Sequence, residues 1–260
     1  MLFEEYLVAL LKNGQVHRHY LVCRHPLSAY IDVSSPNALE PRFLSSFGKS
    51  ARRRLRAAFG TYPSCRLVEA RPSNRARTWR TVEALYLITD AFDTNSPVRA
   101  PKLPQGAPVY SLPIPEDVRE ELLSWAADYR DHDRIWLTSG ALELPAYKEL
   151  CVVTSKLSKR GRKLCSLIER TTGKPTYYYV KRYYAYTRGE GRRRCPSCGR
   201  RWRIERDLSP DATTFWHFNF CCRGCRLVSH AGVSLEGAKY AGIGQFKRRA
   251  RSLGGPMAGR

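Results

Sequence analysis

Cys195-Pro196-Ser197-Cys198-Gly199 is answered by Cys222-Arg223-Gly224-Cys225, with 23 residues between Cys198 and Cys222. A Cys-x-x-Cys pair forms a tight knuckle whose sulfurs converge on one ion, and two knuckles complete the tetrahedral thiolate shell of a structural zinc site. Pro196 sets the first turn, and Gly199 lets the chain leave it with a positive φ. The spacing therefore predicts a zinc ribbon with one structural Zn2+ held by Cys195, Cys198, Cys222 and Cys225. Cys221 stands as an alternative, since Cys221-x-x-x-Cys225 can also reach one ion. Cys222 is preferred for its two-residue spacing and the glycine available to its turn. His217 and His230 are lesser substitutes. The interval reads as a hairpin excursion, with Phe218 and Phe220 toward a sparse core. So small a unit draws much of its folding free energy from the metal. Four protein ligands leave no position open for water, so the ion is read as structural and not catalytic.

The charge around these cysteines is lopsided. The chain carries a net charge of +22, and residues 156–260 hold 25 Lys and Arg against 6 Asp and Glu. The first 155 residues hold 20 against 17. An excess confined to one end points to a polyanionic partner, most often nucleic acid. Arg192, Arg193, Arg194, Arg200, Arg201, Arg203, Arg223 and Arg226 flank the knuckles, where rigid backbone would hold their guanidiniums against phosphates. Trp202 and Trp216 are candidates to stack on a base. The rival reading is a protein-interaction module, such as an immunity or adaptor protein, whose basic surface meets an acidic partner. Met1-Leu2-Phe3-Glu4-Glu5 puts acids where a signal peptide needs basic residues, and no apolar run approaches the roughly 20 residues of a membrane span. The expectation is a cytoplasmic protein without membrane contact, whose paired cysteines bind metal rather than forming disulfides. The isolated Cys23, Cys65, Cys151 and Cys165 read as small buried hydrophobes.

Upstream, Tyr6–Leu11 is apolar and ends at Asn13-Gly14, a hairpin-turn dipeptide, and Val16–Val22 reads as the returning strand, although the first run also suits a short helix. His17 and His19 share one strand face with no cysteine nearby and read as surface residues. Ser50–Gly60 is a basic helix capped by glycine, within a stretch (41–80) of eleven basic residues and the single acid Glu69. This stretch is either a second phosphate-facing surface or a solvated face. Val82–Thr89 is a strand, and Val109–Leu112 a short one. Pro115 starts a helix with Glu116 and Asp117 in its first turn, and Arg134–Thr138 is read as a buried strand. Helices follow from about Leu144 and from about Ser158 to Thr172-Gly173, the latter leaving Lys159, Arg160, Arg162, Lys163 and Arg170 outside. The tyrosine-dense Pro175–Tyr186 is a strand read as packed on both faces rather than as a base-stacking platform.

No phosphate loop, metalloprotease helix, nucleophile elbow or dinucleotide fingerprint occurs, so nothing in the sequence calls for catalysis. Asp128, Asp131, His132 and Asp133 read as a solvated helix end rather than a magnesium site, although an undetected nuclease is a third reading. In order along the chain come Val109–Pro113, Arg134–Leu137 with Ser139-Gly140, Ser155–Ser158 with Gly161, Gly173–Tyr179, Cys195–Gly199 and Cys225–Ser229. These stretches together resemble an uncharacterised bacterial family of zinc-ribbon proteins linked to nucleic-acid binding. The resemblance covers roughly residues 80–230 and implies architecture more than mechanism. The expected layout is α+β. It places a mixed domain at 1–185, a zinc ribbon at 186–232 and a flexible basic tail at 233–260.

Overall fold

The computed structural model describes residues 2–66, 68, 78–93, 95–101, 103, 105–204 and 218–247, apart from the side chains of 17–19. The fold is α+β, with a cysteine cluster near the C-terminal end. The hairpin-excursion tip with Trp216 and His217, the residues after Lys247 and part of the basic 41–80 stretch lie outside the described residues, as do the histidine side chains at 17 and 19.

An N-terminal unit comes first. Helix α1 (Leu2–Lys12) buries Tyr6, Leu7 and Leu10, a spacing that suits a helix and not a strand. Asn13-Gly14 ends this helix instead of turning a hairpin. Gly14 takes a φ of 74°, and the Gln15 N–H returns to the Leu10 carbonyl at 2.9 Å. A left-handed residue closes a helix as readily as it turns a hairpin, so the dipeptide did not discriminate between the two. The real hairpin is one strand later, where β1 (Val16–Arg24) pairs antiparallel with β2 (Leu27–Val33). Helix α2 (Ser46–Phe59) packs Ala51 and Leu55 into the same small core and is closed by Gly60 at φ 73°.

The main body is a five-stranded mixed sheet in the order β4-β3-β5-β7-β6, comprising β3 (Leu85–Leu87), β4 (Val98–Arg99), β5 (Thr176–Tyr179), β6 (Phe220–Cys222) and β7 (Leu227–Ser229). The tyrosine-rich strand β5 lies at its centre, parallel to both β3 and β7. All four of its residues are buried, as a central parallel strand requires. Tyr178 meets the edge of Trp125 at 6.0 Å, while Tyr177 stacks on Tyr86 at 5.6 Å. The tyrosines thus serve packing on both faces. Strand β6, which carries Cys221 and Cys222, and β7, which follows Cys225, extend this same sheet, so the cysteine module shares one core with the domain before it.

Three helices cover the sheet: α3 (Glu116–Thr138), α4 (Glu143–Cys151) and α5 (Lys156–Thr172). Arg134–Thr138 is the last stretch of α3 and not a strand. Leu122, Trp125, Ala126, Tyr129, Asp133 and Trp136 form one buried helical stripe, which the charged Asp133 disguises in the sequence. Its carboxylate accepts from the Ala91 N–H at 2.9 Å and pairs with Lys181. Val109–Ser111 is a 3-10 turn rather than a strand. Ser155 caps α5 by accepting from the Ser158 N–H at 3.0 Å, and Gly173 closes it at φ 69°.

Gly161 brings α5 down onto β5. A Cβ there would lie 2.8 Å from Trp125 Nε1 and closer still to the Tyr178 ring. Helix propensity favours alanine over glycine by about 1 kcal/mol, but overpacking at a rigid aromatic contact costs about 1–3 kcal/mol. Gly161→Ala is therefore expected to destabilise the protein despite sitting in a helix. Urea unfolding of the full chain checks the sign.

Candidate metal centre

The first knuckle is built by backbone hydrogen bonds. The Cys195 N–H donates to the Arg200 carbonyl at 2.9 Å, and the Gly199 N–H returns to the Cys195 carbonyl at 2.8 Å. Gly199 has a φ of 72°, as its place in the motif predicts. The chain then runs beside β6, the Cys221 N–H donating to the Trp202 carbonyl at 2.7 Å. The second knuckle spans β6 to β7, and its last turn puts Arg226 in the left-handed region at φ 51°. Glu169 of α5 holds that arginine, accepting from Nη2 at 2.7 Å and from Nε at 2.9 Å.

These two turns bring Cys195, Cys198, Cys222 and Cys225 together, with all four sulfurs within 4.8 Å of one another. The group can hold a metal ion. Cys195 is buried, and burial pushes its thiol well up. Cys198 lies on the open side. Burial raises the Cys198 thiol, but hydrogen bonds from the Arg200 N–H and the neighbouring thiols outweigh this and bring it to about 7. A metal entering this group displaces thiol protons. Cys221 is not part of it: strand alternation turns its side chain to the other face of β6, where burial pushes the thiol up to about 11. His230 is also elsewhere, its ring 5.6 Å from that of Tyr179 and its Nδ1 2.6 Å from the Ala231 carbonyl oxygen.

Behind the knuckles sits a charge network that the motif does not announce. Glu190 accepts from Arg182 Nη2 at 3.2 Å, Arg193 Nη1 at 3.1 Å, the Tyr186 N–H at 3.0 Å and the Gly232 N–H at 2.9 Å. Arg182 and Arg193 are 1% and 7% exposed, so both guanidiniums are out of water. Burial and the neighbouring Arg182 lower Arg193 to about 10. Burial pulls Glu190 upward, but its donors and Arg193 prevail and hold it at about 2. The only sequence signal for this hub is a lone acid in the basic run Arg188–Arg194.

Arg182 also donates to the Ala241 carbonyl at 2.7 Å, fastening a C-terminal strap. Residues 233–247, expected as flexible tail, are packed: Gly244 passes so close to the Cys151 carbonyl that a Cβ would lie 2.5 Å from it. Phe246 crosses Gly199 at the first knuckle, where a Cβ would lie 2.6 Å from its ring.

The flanking residues therefore divide. Arg192, Arg194, Arg200, Arg201, Arg203 and Arg223 are exposed, and Arg200, Arg201 and Arg223 line a hollow beside Cys198, Cys222 and Cys225. Arg193 and Trp202, expected on the surface, are not there. Trp202 is 2% exposed and packs on Phe220 at 5.2 Å, and the Arg193 guanidinium lies 4.8 Å over that same Phe220 ring. Trp202 belongs to the main core, and burying its large apolar area there leaves none of it for a ligand. Arg226 is half-buried and paired to Glu169. The acidic cluster is scattered: Asp133 is buried against Lys181, Asp128 pairs with Arg160, Asp131 with Arg134, and His132 Nδ1 lies 2.7 Å from the Asp128 carbonyl oxygen. Among the described residues, no helix is long and apolar enough to cross a membrane.

Two outcomes follow from this geometry. Cys222→Ser should abolish stoichiometric metal binding and lower Tm, whereas Cys221→Ser should keep both, as measured by metal content and thermal melting of the purified chain. Glu190→Gln leaves two buried guanidiniums without a counter-ion and should cost about 3–5 kcal/mol. Because the folded Glu190 sits at about 2 against an ordinary 4.5, its contribution is complete above pH 4.5 and disappears as the pH falls toward 2. Acid unfolding of the variant should therefore lose that part of its pH dependence.

Comparison with known proteins adds kinship. Residues 80–181 match a domain of unknown function (DUF2310), and residues 186–235 match a second one (DUF8594). Two Haemophilus influenzae proteins, each named "Uncharacterized protein", are 34% identical to the chain over 146 residues, 55% of its length. The chain spans 54% of one of these relatives and 69% of the other. No solved structure matches it. With this identity over more than two thirds of the second relative, the chain belongs to the same uncharacterised bacterial family, and it carries the two domains of unknown function in tandem.

Proposed function

We propose that the protein binds nucleic acid through a basic surface ordered by one structural zinc ion, and that it does so without catalysis. Cys195, Cys198, Cys222 and Cys225 hold the zinc. A tetrahedral shell with zinc–sulfur bonds of about 2.3 Å has edges of about 3.8 Å. The Cys198 and Cys222 sulfurs lie 3.7 Å apart, which fits that shell. Bound zinc fixes the two turns, and the residues around it do the recognition.

The observation that carries this reading is the ring of exposed arginines on the open side of the cysteines. Arg200, Arg201 and Arg223 line the hollow, and Arg192, Arg194 and Arg203 are exposed on the adjoining backbone, the Arg203 guanidinium lying against Gly191. Their backbone is tied down by the knuckle turns and by the pairing of Arg194 with Arg201 and of Arg203 with Phe220. A guanidinium on fixed backbone loses less freedom on meeting a phosphate oxygen and makes a charge-assisted bond there. Arg193 and Trp202 have no part in contact and act by holding the module together.

Such contacts release condensed counter-ions, so affinity should fall steeply with salt, by a slope of about 0.9 for each phosphate neutralised. The full chain should purify with one zinc ion and bind labelled DNA or RNA at about 50 mM salt, losing most of that affinity by about 200 mM. Arg200→Ala, Arg201→Ala and Arg223→Ala combined should weaken binding to every sequence alike and lower the salt slope by about 2.7. Absence of binding at low salt, or binding indifferent to salt, rules the proposal out. Nuclease-resistant capture of a single stoichiometric protein would replace it with a protein-interaction role.

A further inference from the structure

The outer side of α5 carries Lys156, Lys159, Lys163 and Arg170, exposed and recurring at helical steps with Ser166 between them. None has an acidic partner among the described residues. The nearby acids are engaged elsewhere: Glu121 and Asp128 pair with Arg160, and Glu169 pairs with Arg226. What remains is a one-sign stripe of cations about 21 Å long, at 1.5 Å of rise per residue.

Two further features bear on this stripe. Lys156 and Lys159 stand at the N-terminal end of α5, which has no acid of its own in the first turn and where the Glu149 carboxylate accepts from the Leu157 N–H at 3.1 Å. The far end of the stripe is joined to the cysteine module. Glu169 grips Arg226 through three hydrogen bonds of 2.7–3.2 Å, and Arg226 Nη1 donates to the Arg223 carbonyl at 2.9 Å. The helix and the second knuckle therefore present their cations from one rigid piece.

We infer that α5 is a second contact for nucleic acid, and that the partner is a duplex whose sugar-phosphate backbone lies along the stripe and onto the knuckle. This rests on the proposed function and specifies its partner. Single strands are held by aromatic platforms on which bases stack. Here Tyr177, Tyr178, Tyr179, Tyr184, Trp202 and Phe220 are all buried, Tyr186 and Phe246 are only about one third exposed, and α5 itself holds no aromatic. Cations without stacking surface recognise the regular phosphate track of a duplex. A stripe of about 21 Å covers about six base pairs at 3.4 Å each.

The test is fluorescence anisotropy of the full chain with a DNA duplex of about 20 base pairs, the equivalent RNA duplex and one single strand, between about 50 and 200 mM salt. The duplex should bind at least about tenfold tighter than the single strand, and binding to either duplex supports the proposal and names its source. Lys159→Ala, Lys163→Ala and Arg170→Ala combined should lower the salt slope by about 2.7. Lys159→Arg with Lys163→Arg should retain it, with metal content and Tm confirming the fold of each variant. An α5 variant that binds as the wild type, while the Arg200/Arg201/Arg223 variant fails, overturns this inference and leaves the knuckle reading standing. A single strand that binds as tightly as the duplex also overturns it. Wild-type chain that binds none of the three probes removes the proposed function itself.

Discussion

One carboxylate, that of Glu190, ties the stretch from Arg182 to Arg193 to Gly232, 42 residues further along the chain. It faces Arg182, just past the central strand β5, and Arg193, two residues before the first metal-site cysteine. It also accepts from Gly232 beyond β7, while Arg182 reaches on to the strap at Ala241. Two guanidiniums against one carboxylate leave a buried positive excess. The Ala241 carbonyl also accepts from Arg182 and the His230 carbonyl from Arg193. Such a network adds less net stability than its hydrogen bonds suggest, since both ions were well solvated before folding. Its effect is to specify one arrangement: any displacement of the strap or of the knuckle strands exposes a buried charge.

That constraint bears on how the cysteine module relates to the rest. A free-standing ribbon relies on metal because its own core is too small. In this chain β7 pairs parallel with β5, and Phe218 and Phe220 join the main core. The sulfurs are brought near one another by the sheet, the Gly199 turn and the strap. A metal held there would lock a site whose walls the domain already supplies. The same rigidity carries outward through Glu169 and Arg226 to α5, so that cations on a helix and cations on a turn keep a constant separation.

Much of the candidate site was legible. The two cysteine pairs, the turn glycine and the preference for Cys222 over Cys221 all followed from spacing, and the structure gathers those four sulfurs. The glycine and serine ends of α2 and α5 were readable because capping is a local matter. Arg193 and Trp202 were misread for a shared reason. In a basic, aromatic segment nothing local separates a cation aimed at solvent from one folded inward onto Glu190. Arg134–Thr138 was misread because the buried Asp133 breaks the apolar stripe, and its partner Lys181 lies 48 residues away.

The sequence by itself determined the thiolate set, the basic bias of the C-terminal half and the α+β class, because each is written in spacing, charge or period within a short window. Only the tertiary structure decided which arginines face outward, that the strap is packed, and that the knuckles extend the central sheet. Those outcomes depend on contacts between distant segments, where burying a charge or a tryptophan is settled by whatever the far segment offers. The paired cysteines therefore identify a group that can hold a metal, and long-range burial selects the cations available around it.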